Sequence, residues 1–127
     1  MITGIIVFAH GSRVESANEA VRAAARGLLR VAGCDRVVAA FLELGEPDLE
    51  TAADGLAGSG VERLVIIPYF LTLGLHMERD LPRLVERIKL KHHSLRVVVT
   101  PPLDGHPSLI SILADRFRTS GDAGQNT

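Results

Sequence analysis

Four short runs of apolar residues, each rich in branched aliphatic side chains, interrupt an otherwise mixed sequence. They occupy residues 4–9, 37–42, 63–69 and 95–100. Apart from Arg63, Arg96 and Thr100, the runs are apolar throughout, and apolar runs of this length are typical of strands that are covered on both faces. The pattern therefore predicts four buried strands.

The segments between these runs have the 3.6-residue periodicity of helices. The first helix is predicted to open at Ser16, with Glu19 three positions later in a capping-box pattern. Pro47 and Pro107 mark the starts of the second and fourth helices, whereas Pro82 leaves the start of the third helix open. The predicted core-facing positions are Ala17, Ala20, Val21, Ala24, Leu28 and Val31, then Leu49, Ala52, Ala53, Leu56 and Ala57, then Leu81, Leu84, Val85 and Ile88, and finally Leu109, Ile110, Leu113 and Phe117.

Strands and helices thus alternate along the chain. This order predicts an α/β fold, a three-layer αβα sandwich around a four-stranded parallel sheet with right-handed crossovers. A chain of 127 residues has room for one such domain. We predict a single domain over residues 1–118 and a polar, disordered tail over residues 119–127.

Charge and composition exclude some classes of partner. Lysine and arginine number 14 against 15 aspartate and glutamate, a net charge of −1, and tryptophan is absent. This balance argues against nucleic-acid binding through a broad positive field. No apolar run approaches the roughly 20 residues that span a bilayer, so no membrane association is expected. The single Cys34 fits a reducing compartment, and we expect a cytoplasmic protein.

Three candidate metal ligands follow three different strands. His10 follows the first strand, Glu43 the second, and His76 lies beyond the third. Because parallel strands end at the same edge of a sheet, these side chains are expected to converge there. Two imidazoles and a carboxylate suit iron, cobalt, nickel or zinc. The alternatives are a loop histidine bonded to backbone at His10, a structural ion pair at Glu43 and a helix cap at His76.

Other polar residues flank these candidates. Arg13 and Arg79 sit beside the candidate ligands, where a guanidinium suits a carboxylate, and Ser12 offers a hydroxyl and a backbone N–H to an anion. The pair His92 and His93 is predicted to lie in a solvated basic patch at the opposite end of the sheet. His106, which precedes Pro107, is predicted to organise the start of the last helix.

Motifs typical of nucleotide binding and of histidine phosphotransfer are missing or incomplete in the sequence. The loop after the first strand contains neither GxGxxG nor GxxxxGK[ST], so nucleotide-driven chemistry is not expected. A histidine phosphotransfer enzyme using His10 remains an alternative, although Ala9 stands where such enzymes carry an arginine.

An ordered set of motifs resembles the short CbiX-type sirohydrochlorin chelatases, relatives of the class II cobaltochelatases and ferrochelatases. The resemblance covers residues 4–118. The motifs that carry it are AHGSR at residues 9–13, FLE at 41–43, EP at 46–47, PYFL at 68–71, GLHM at 74–77, DLP at 80–82 and GHP at 105–107.

This resemblance implies a chelatase fold equivalent to half of a two-domain class II chelatase. It implies insertion of cobalt or ferrous iron into sirohydrochlorin or a close relative, without a nucleotide, for cobalamin or siroheme biosynthesis; nickel stays open as the metal. It makes His10 and His76 metal ligands, one of them also the base, with Glu43 as their acidic partner. It also implies a homodimer.

The tetrapyrrole needs contacts of its own. Ser12, Arg13 and Arg79 are the candidate anchors for its peripheral carboxylates. A non-enzymatic carrier of metal or tetrapyrrole is the main alternative to an enzyme. Four apolar residues are candidates for packing against the macrocycle, with packing in the protein core as the default alternative for each: Leu71, Leu73, Leu75 and Met77.

Overall fold

The structure, a computed structural model, describes residues 1–121 and confirms the predicted α/β class. Strands and helices alternate without interruption, in the predicted order. The elements are β1 (Thr3–Ala9), α1 (Glu15–Ala32), β2 (Arg36–Phe41), α2 (Leu49–Gly58), β3 (Arg63–Pro68), α3 (Leu75–Lys91), β4 (Arg96–Val99) and α4 (Pro107–Ser120).

The four strands form one parallel sheet in the order β2-β1-β3-β4. All four strands therefore end at one edge, which we call the carboxyl edge. β1 lies inside the sheet, and its residues from Gly4 to Ala9 are all buried. Burial on both faces explains why this strand reads as one continuous apolar run.

The two faces of the sheet carry separate apolar cores. On one face Ile6, Phe8, Leu64 and Ile66 pack against α2 and α3. On the other face the alternate residues of β1, together with residues of β2, pack against α1. The predicted apolar positions Leu81, Val85 and Ile88 of α3 are buried as expected, and the start of that helix lies at Leu75, so Pro82 falls inside it.

Helix α1 begins two residues before the position that an N-cap at Ser16 predicts. Its N-cap is Val14, which makes no side-chain capping bond, so the predicted capping box at Ser16 is wrong. Instead the Ser12 hydroxyl oxygen accepts the Val14 N–H at 3.0 Å. The buried stripe is also displaced: Ala17, Ala20 and Val31 are exposed, and the helix buries Asn18, Val21 and Ala25.

Helix α4 contradicts the prediction that it buries an apolar stripe. None of its residues is buried, and Leu109 is only half-buried. An amphipathic stripe is buried only where a surface covers it, and none does so within residues 1–121. The helix also continues to Ser120, two residues beyond the predicted domain boundary. The rest of the predicted tail, residues 122–127, lies outside the described residues.

The opposite end of the sheet is held by an ion-pair cluster between α2 and α3. Lys91 donates to Asp54 Oδ2 at 2.8 Å, and His92 Nε2 lies 2.7 Å from Asp54 Oδ1. These hydrogen bonds, that of Lys91 first, hold the pKa of the Asp54 carboxyl below its usual value. His93 is exposed as predicted, whereas His92 is half-buried and belongs to this structural cluster.

Two further features bear on the predictions. His106 is the N-cap of α4, and its Nδ1 accepts the Ser108 N–H at 3.0 Å, which confirms its predicted role. In the part of the chain that the structure describes, no helix is both long and apolar enough to cross a membrane.

Candidate functional site

The loops after β1 and β2 run side by side at the carboxyl edge. The parallel pairing continues past the strands, because the Leu42 N–H donates to the Ala9 carbonyl at 2.9 Å and the Glu43 N–H to the His10 carbonyl at 3.0 Å. This backbone register places the two side chains together, with His10 Nε2 3.5 Å from Glu43 Oε2. The predicted convergence of these two residues is therefore observed.

Gly11 allows the two loops to approach this closely. Its φ is +96°, in the left-handed region that side chains with a Cβ disfavour. A Cβ built at this position would lie 1.6 Å from the Glu43 carbonyl oxygen. Glycine is thus required both by the backbone conformation and by the close approach of the loop that contains Glu43.

A buried asparagine fastens the same two loops from beneath. Asn18 is 2% exposed. Its Nδ2 donates to the Ser12 and Leu44 carbonyls, both at 2.9 Å, and its Oδ1 accepts the Ser12 N–H at 2.9 Å. The predicted core-facing stripe of α1 contained only alanine, valine and leucine positions, so Asn18 was not among the predicted residues. Asn18 precedes the buried residues Val21 and Ala25 by three and seven positions, and this helical spacing indicates that it shares their face.

Removing this amide should loosen both loops. We expect Asn18→Ala to lower the free energy of unfolding by about 3 kcal/mol, because it leaves an N–H and two carbonyls without partners in a buried site. Urea unfolding measures the effect. The control is Ser16→Ala, which alters an exposed position of the same helix. Equal stability of the two variants would contradict the assigned role.

Arg22 supports the second loop from the outside. Its Nη1 donates to Glu15 Oε2 at 2.6 Å and its Nη2 to the Glu46 carbonyl at 3.1 Å, while the guanidinium lies over the Phe41 ring. The hydrogen bond from Arg22, followed by that from Asn18, lowers the pKa of the Glu15 carboxyl. The backbone after Glu43 is thus fixed by residues of α1.

A contact with the backbone favours one tautomer of the His10 ring. Its Nδ1 lies 3.3 Å from the Gly11 carbonyl oxygen. Because a carbonyl only accepts, Nδ1 carries the proton in this contact, and in the neutral ring Nε2 presents its lone pair toward Glu43. Two facing lone pairs favour a cation, a proton or a water molecule between them.

The spacing of this pair suits a metal ion. With metal–ligand bonds of about 2.1 Å, two ligand atoms 3.5 Å apart subtend an angle of about 110° at the ion, which is close to tetrahedral. Both side chains are a little over half exposed. The pair is therefore open to solvent and leaves further coordination positions for other ligands.

His76 lies in the first turn of α3 and makes a different contact. Gly74, not His76, caps this helix, so the helix-cap alternative fails. Arg79 Nη2 lies 3.1 Å from His76 Nδ1. A guanidinium only donates, so Nδ1 accepts here, and ligation through Nδ1 requires this contact to open. No group of three or more candidate ligands is assembled among residues 1–121. The structure thus brings together His10 and Glu43 but not all three predicted ligands.

The predicted anion contacts are placed as follows. The Ser12 N–H already donates to Asn18 Oδ1, which rules out that N–H as an anion contact. The Ser12 hydroxyl accepts from the Val14 N–H, and its own hydrogen is available to an anion. Arg13 is exposed at the start of α1. Arg79 also contacts Asp80, with Nε 3.6 Å from Oδ1. Arg13 thus lies in the loop between β1 and α1, whereas Arg79 lies near the start of α3.

The apolar residues near His76 divide into two groups. Leu71 and Leu75 are exposed at 65% and 85%, whereas Met77 is buried in the core, which is the default alternative given for it and excludes a contact with a macrocycle. Leu73 lines a cavity of about 420 Å³ together with Leu81, Pro82, Val85 and Val99. This cavity follows α3 and β4, and the three candidate ligands do not line it.

Comparisons with known proteins agree with this fold. The family model described as CbiX matches residues 4–120. The chain is 29% identical to the chloroplastic sirohydrochlorin ferrochelatase of Arabidopsis thaliana over 96% of this chain and 56% of that protein. It is 26% identical to the sirohydrochlorin cobaltochelatase of Sulfurisphaera tokodaii, with 89% of each chain covered.

Solved structures give the same result. The chain is similar to a CbiX protein from Marinobacter aquaeolei VT8, with a TM-score of 0.80, 29% identity and coverage of 93% of this chain and 96% of that one. It also shares its fold with the sirohydrochlorin chelatase SirB from Bacillus subtilis subspecies spizizenii in complex with cobalt, with a TM-score of 0.87, 24% identity and coverage of 94% of this chain and 51% of that one. The chain thus spans about half the length of some relatives and nearly all of others.

Proposed function

The chain belongs to the CbiX family, and we propose that it is a chelatase that inserts cobalt or ferrous iron into sirohydrochlorin without a nucleotide. Its relatives include proteins named sirohydrochlorin ferrochelatase and sirohydrochlorin cobaltochelatase. Within the chain, the observation that carries the proposal is the open pair of His10 Nε2 and Glu43 Oε2, 3.5 Å apart at the carboxyl edge.

The chemistry of insertion fits this pair. A metal ion must lose water as it approaches the ring, and two pyrrolic protons must leave as four metal–nitrogen bonds form. A neutral imidazole holds the ion without cancelling its charge, and the carboxylate offsets part of that charge. A closed cage of four protein ligands would retain the ion, whereas two or three ligands at an exposed site release it to the ring. The same His10 and Glu43 atoms are acceptors for the released protons.

His76 is the second imidazole of the proposed site. Its Nδ1 is occupied by Arg79 in the chain alone. A peripheral carboxylate of the tetrapyrrole competes for this guanidinium, because bidentate pairing with a carboxylate is stronger than a single bond to a neutral ring. Binding of the macrocycle to Arg79 thereby releases His76 to act as ligand or base. Arg13 and the Ser12 hydroxyl extend the same carboxylate-binding edge.

We also propose that the working unit is a homodimer. The site of one chain is open, and the relatives of about twice its length contain residues beyond the part that this chain matches. A second copy supplies an equivalent half. Two carboxyl edges that face each other enclose a flat substrate better than one.

Anaerobic incubation of the protein with sirohydrochlorin and either cobalt, ferrous iron or nickel, without nucleotide, tests the proposal. Visible spectra should show insertion faster than in protein-free samples with at least one of the three ions. The metal giving the largest increase identifies the preferred substrate. Tight binding of ring or metal with no gain in rate for any ion would instead make the protein a carrier and overturn the enzyme assignment.

A further inference from the structure

Leu44 directly follows the candidate ligand Glu43 and has an unusual backbone conformation. Its φ is +58°, and among residues 1–121 only glycines share a positive φ with it. This left-handed region brings the Cβ of an L-amino acid too close to the following carbonyl oxygen, so glycine and asparagine adopt it far more readily than leucine does. Strained backbone of this kind is concentrated at sites where ligands bind. A leucine at this position therefore needs a compensating interaction.

Neighbouring residues hold the main chain of Leu44 in this conformation. Asn18 Nδ2 donates to the Leu44 carbonyl at 2.9 Å, and Asn18 itself is almost completely buried. The next residue, Gly45, passes so close to the Phe41 ring that a Cβ on it would lie 2.9 Å from the Phe41 Cγ. These contacts fix the backbone of the turn and involve no atom of the Leu44 side chain.

The side chain of Leu44 is not part of either apolar core. It is 49% exposed, and it belongs neither to the two clusters of buried residues nor to the half-buried residues packed against them. An asparagine at this position would keep the turn, relieve the strain and lose no core packing. The strained, half-exposed leucine is therefore best explained by a contact with a molecule outside the chain.

The surroundings of Leu44 indicate which part of a ligand it can contact. It borders an open groove of about 550 Å³ together with Gly45 and three charged residues, Glu15, Arg22 and Glu46. The Arg22 guanidinium is already bonded to the Glu15 carboxylate and to the Glu46 carbonyl. The one cation that lines this groove within residues 1–121 is thus engaged, which disfavours a ligand carboxylate there. A hydrocarbon surface is the part of a ligand that suits the leucine.

We infer that the Leu44 side chain packs against the hydrocarbon surface of the tetrapyrrole and is a specificity-determining residue for it. The inference rests on the proposed function and adds a contact to its site. Because Leu44 follows Glu43, the turn that places the Glu43 carboxylate beside His10 also presents an apolar side chain at the carboxyl edge. Leu44 serves the apolar part of the ring, whereas Arg13 and Arg79 serve its peripheral carboxylates.

Replacing Leu44 with asparagine separates the effect of the side chain from that of the backbone. Leu44→Asn tolerates the left-handed conformation but removes the apolar contact, so the dissociation constant for metal-free sirohydrochlorin should rise about 10-fold. The urea midpoint should stay the same or rise, because the strain is relieved. Absorbance titration with the ring and urea unfolding measure the two quantities. Weaker ring binding at equal or higher stability is an outcome that a purely structural role does not produce.

Two control variants accompany this measurement. Leu44→Met keeps an apolar side chain of similar size and should bind the ring as the unaltered protein does. Leu29→Asn changes an exposed leucine of α1, away from the carboxyl edge, and should also leave ring binding unchanged. Unaltered ring affinity in Leu44→Asn, or the same loss in Leu29→Asn, would overturn the inference.

Metal binding distinguishes a ring contact from an indirect effect through Glu43. Isothermal titration of ring-free Leu44→Asn with cobalt should give the affinity of the unaltered protein, since the turn and the His10–Glu43 pair remain in place. In steady-state insertion the variant should show a raised KM for the ring and an unchanged kcat. A matching loss of cobalt affinity would show that Leu44 positions Glu43 instead, and the ring contact would be wrong.

Ring binding and metal insertion also separate this inference from the proposed function. If the unaltered protein inserts none of the three ions, yet Leu44→Asn weakens ring binding, the chelatase is wrong and the contact stands. If the protein inserts metal and Leu44→Asn binds the ring normally, the chelatase stands and the contact is wrong.

Discussion

Replacing either His10 or His76 with alanine is expected to lower the rate of metal insertion by about 100-fold or more, the usual effect of losing a group that moves protons or holds the reacting centre. His10 loses the Nε2 lone pair that faces Glu43, and His76 loses the second imidazole of the proposed site. Single-turnover insertion into sirohydrochlorin, followed by visible spectroscopy with cobalt and with ferrous iron, measures both effects.

The His10→Ala and His76→Ala variants should differ in their affinity for metal when no tetrapyrrole is bound. His10 has Glu43 beside it and offers a two-atom site in the structure, whereas His76 Nδ1 is occupied by Arg79. We therefore expect His10→Ala to weaken cobalt binding to the ring-free protein more than His76→Ala does. Isothermal titration with cobalt alone tests this order.

A histidine at the far end of the sheet provides the control. His93 is exposed and lies beyond the C-terminus of α3, so His93→Ala should insert metal at the unaltered rate. Circular dichroism confirms that all three variants are folded, since His10 and His93 are on the surface. Unchanged insertion by both His10→Ala and His76→Ala would remove the basis of the assigned site.

The sheet and the meeting of His10 with Glu43 were predictable because both follow from a parallel topology. Strands that are buried on both faces read as apolar runs, as residues 4–9 do, and parallel strands deliver the residues that follow them to one edge. The pairing then continues through the backbone hydrogen bonds of Leu42 and Glu43 without any contribution from side chains. Element order alone was enough to place these two residues together.

Other features depend on tertiary contacts that periodicity does not contain. The inner face of α1 includes Asn18 because two loops present carbonyls to it, one at Ser12 and the other at Leu44, which lies 26 residues from Asn18 in the sequence. The apolar stripe of α4 was correctly seen as a stripe, but its burial was wrong because periodicity shows that a face is apolar and not which surface covers it. The position of His76 depends on the start of α3, which Pro82 obscured.

The most damaging single substitution predicted outside the ligands is Gly11→Ala. A positive φ of +96° is unfavourable for alanine, and the alanine Cβ would lie 1.6 Å from the Glu43 carbonyl oxygen, so the loops that contain Gly11 and Glu43 must separate. We expect a loss of about 3 kcal/mol or more in the free energy of unfolding, measured by urea denaturation. Because the separation breaks the register that pairs His10 with Glu43, the variant protein that remains folded should also bind cobalt more weakly.

Gly55→Ala is the matched control for this prediction. Gly55 is an exposed residue within α2, and a Cβ there would have no neighbour within 4 Å. Alanine should raise the free energy of unfolding by roughly 0.5–1 kcal/mol, because it limits the unfolded chain and favours the helix. The two substitutions add the same methyl group, so opposite signs isolate the contact between Gly11 and Glu43 as the cause. If Gly11→Ala instead matched Gly55→Ala in stability and in cobalt affinity, the close approach of the two loops would play no part in forming the metal site.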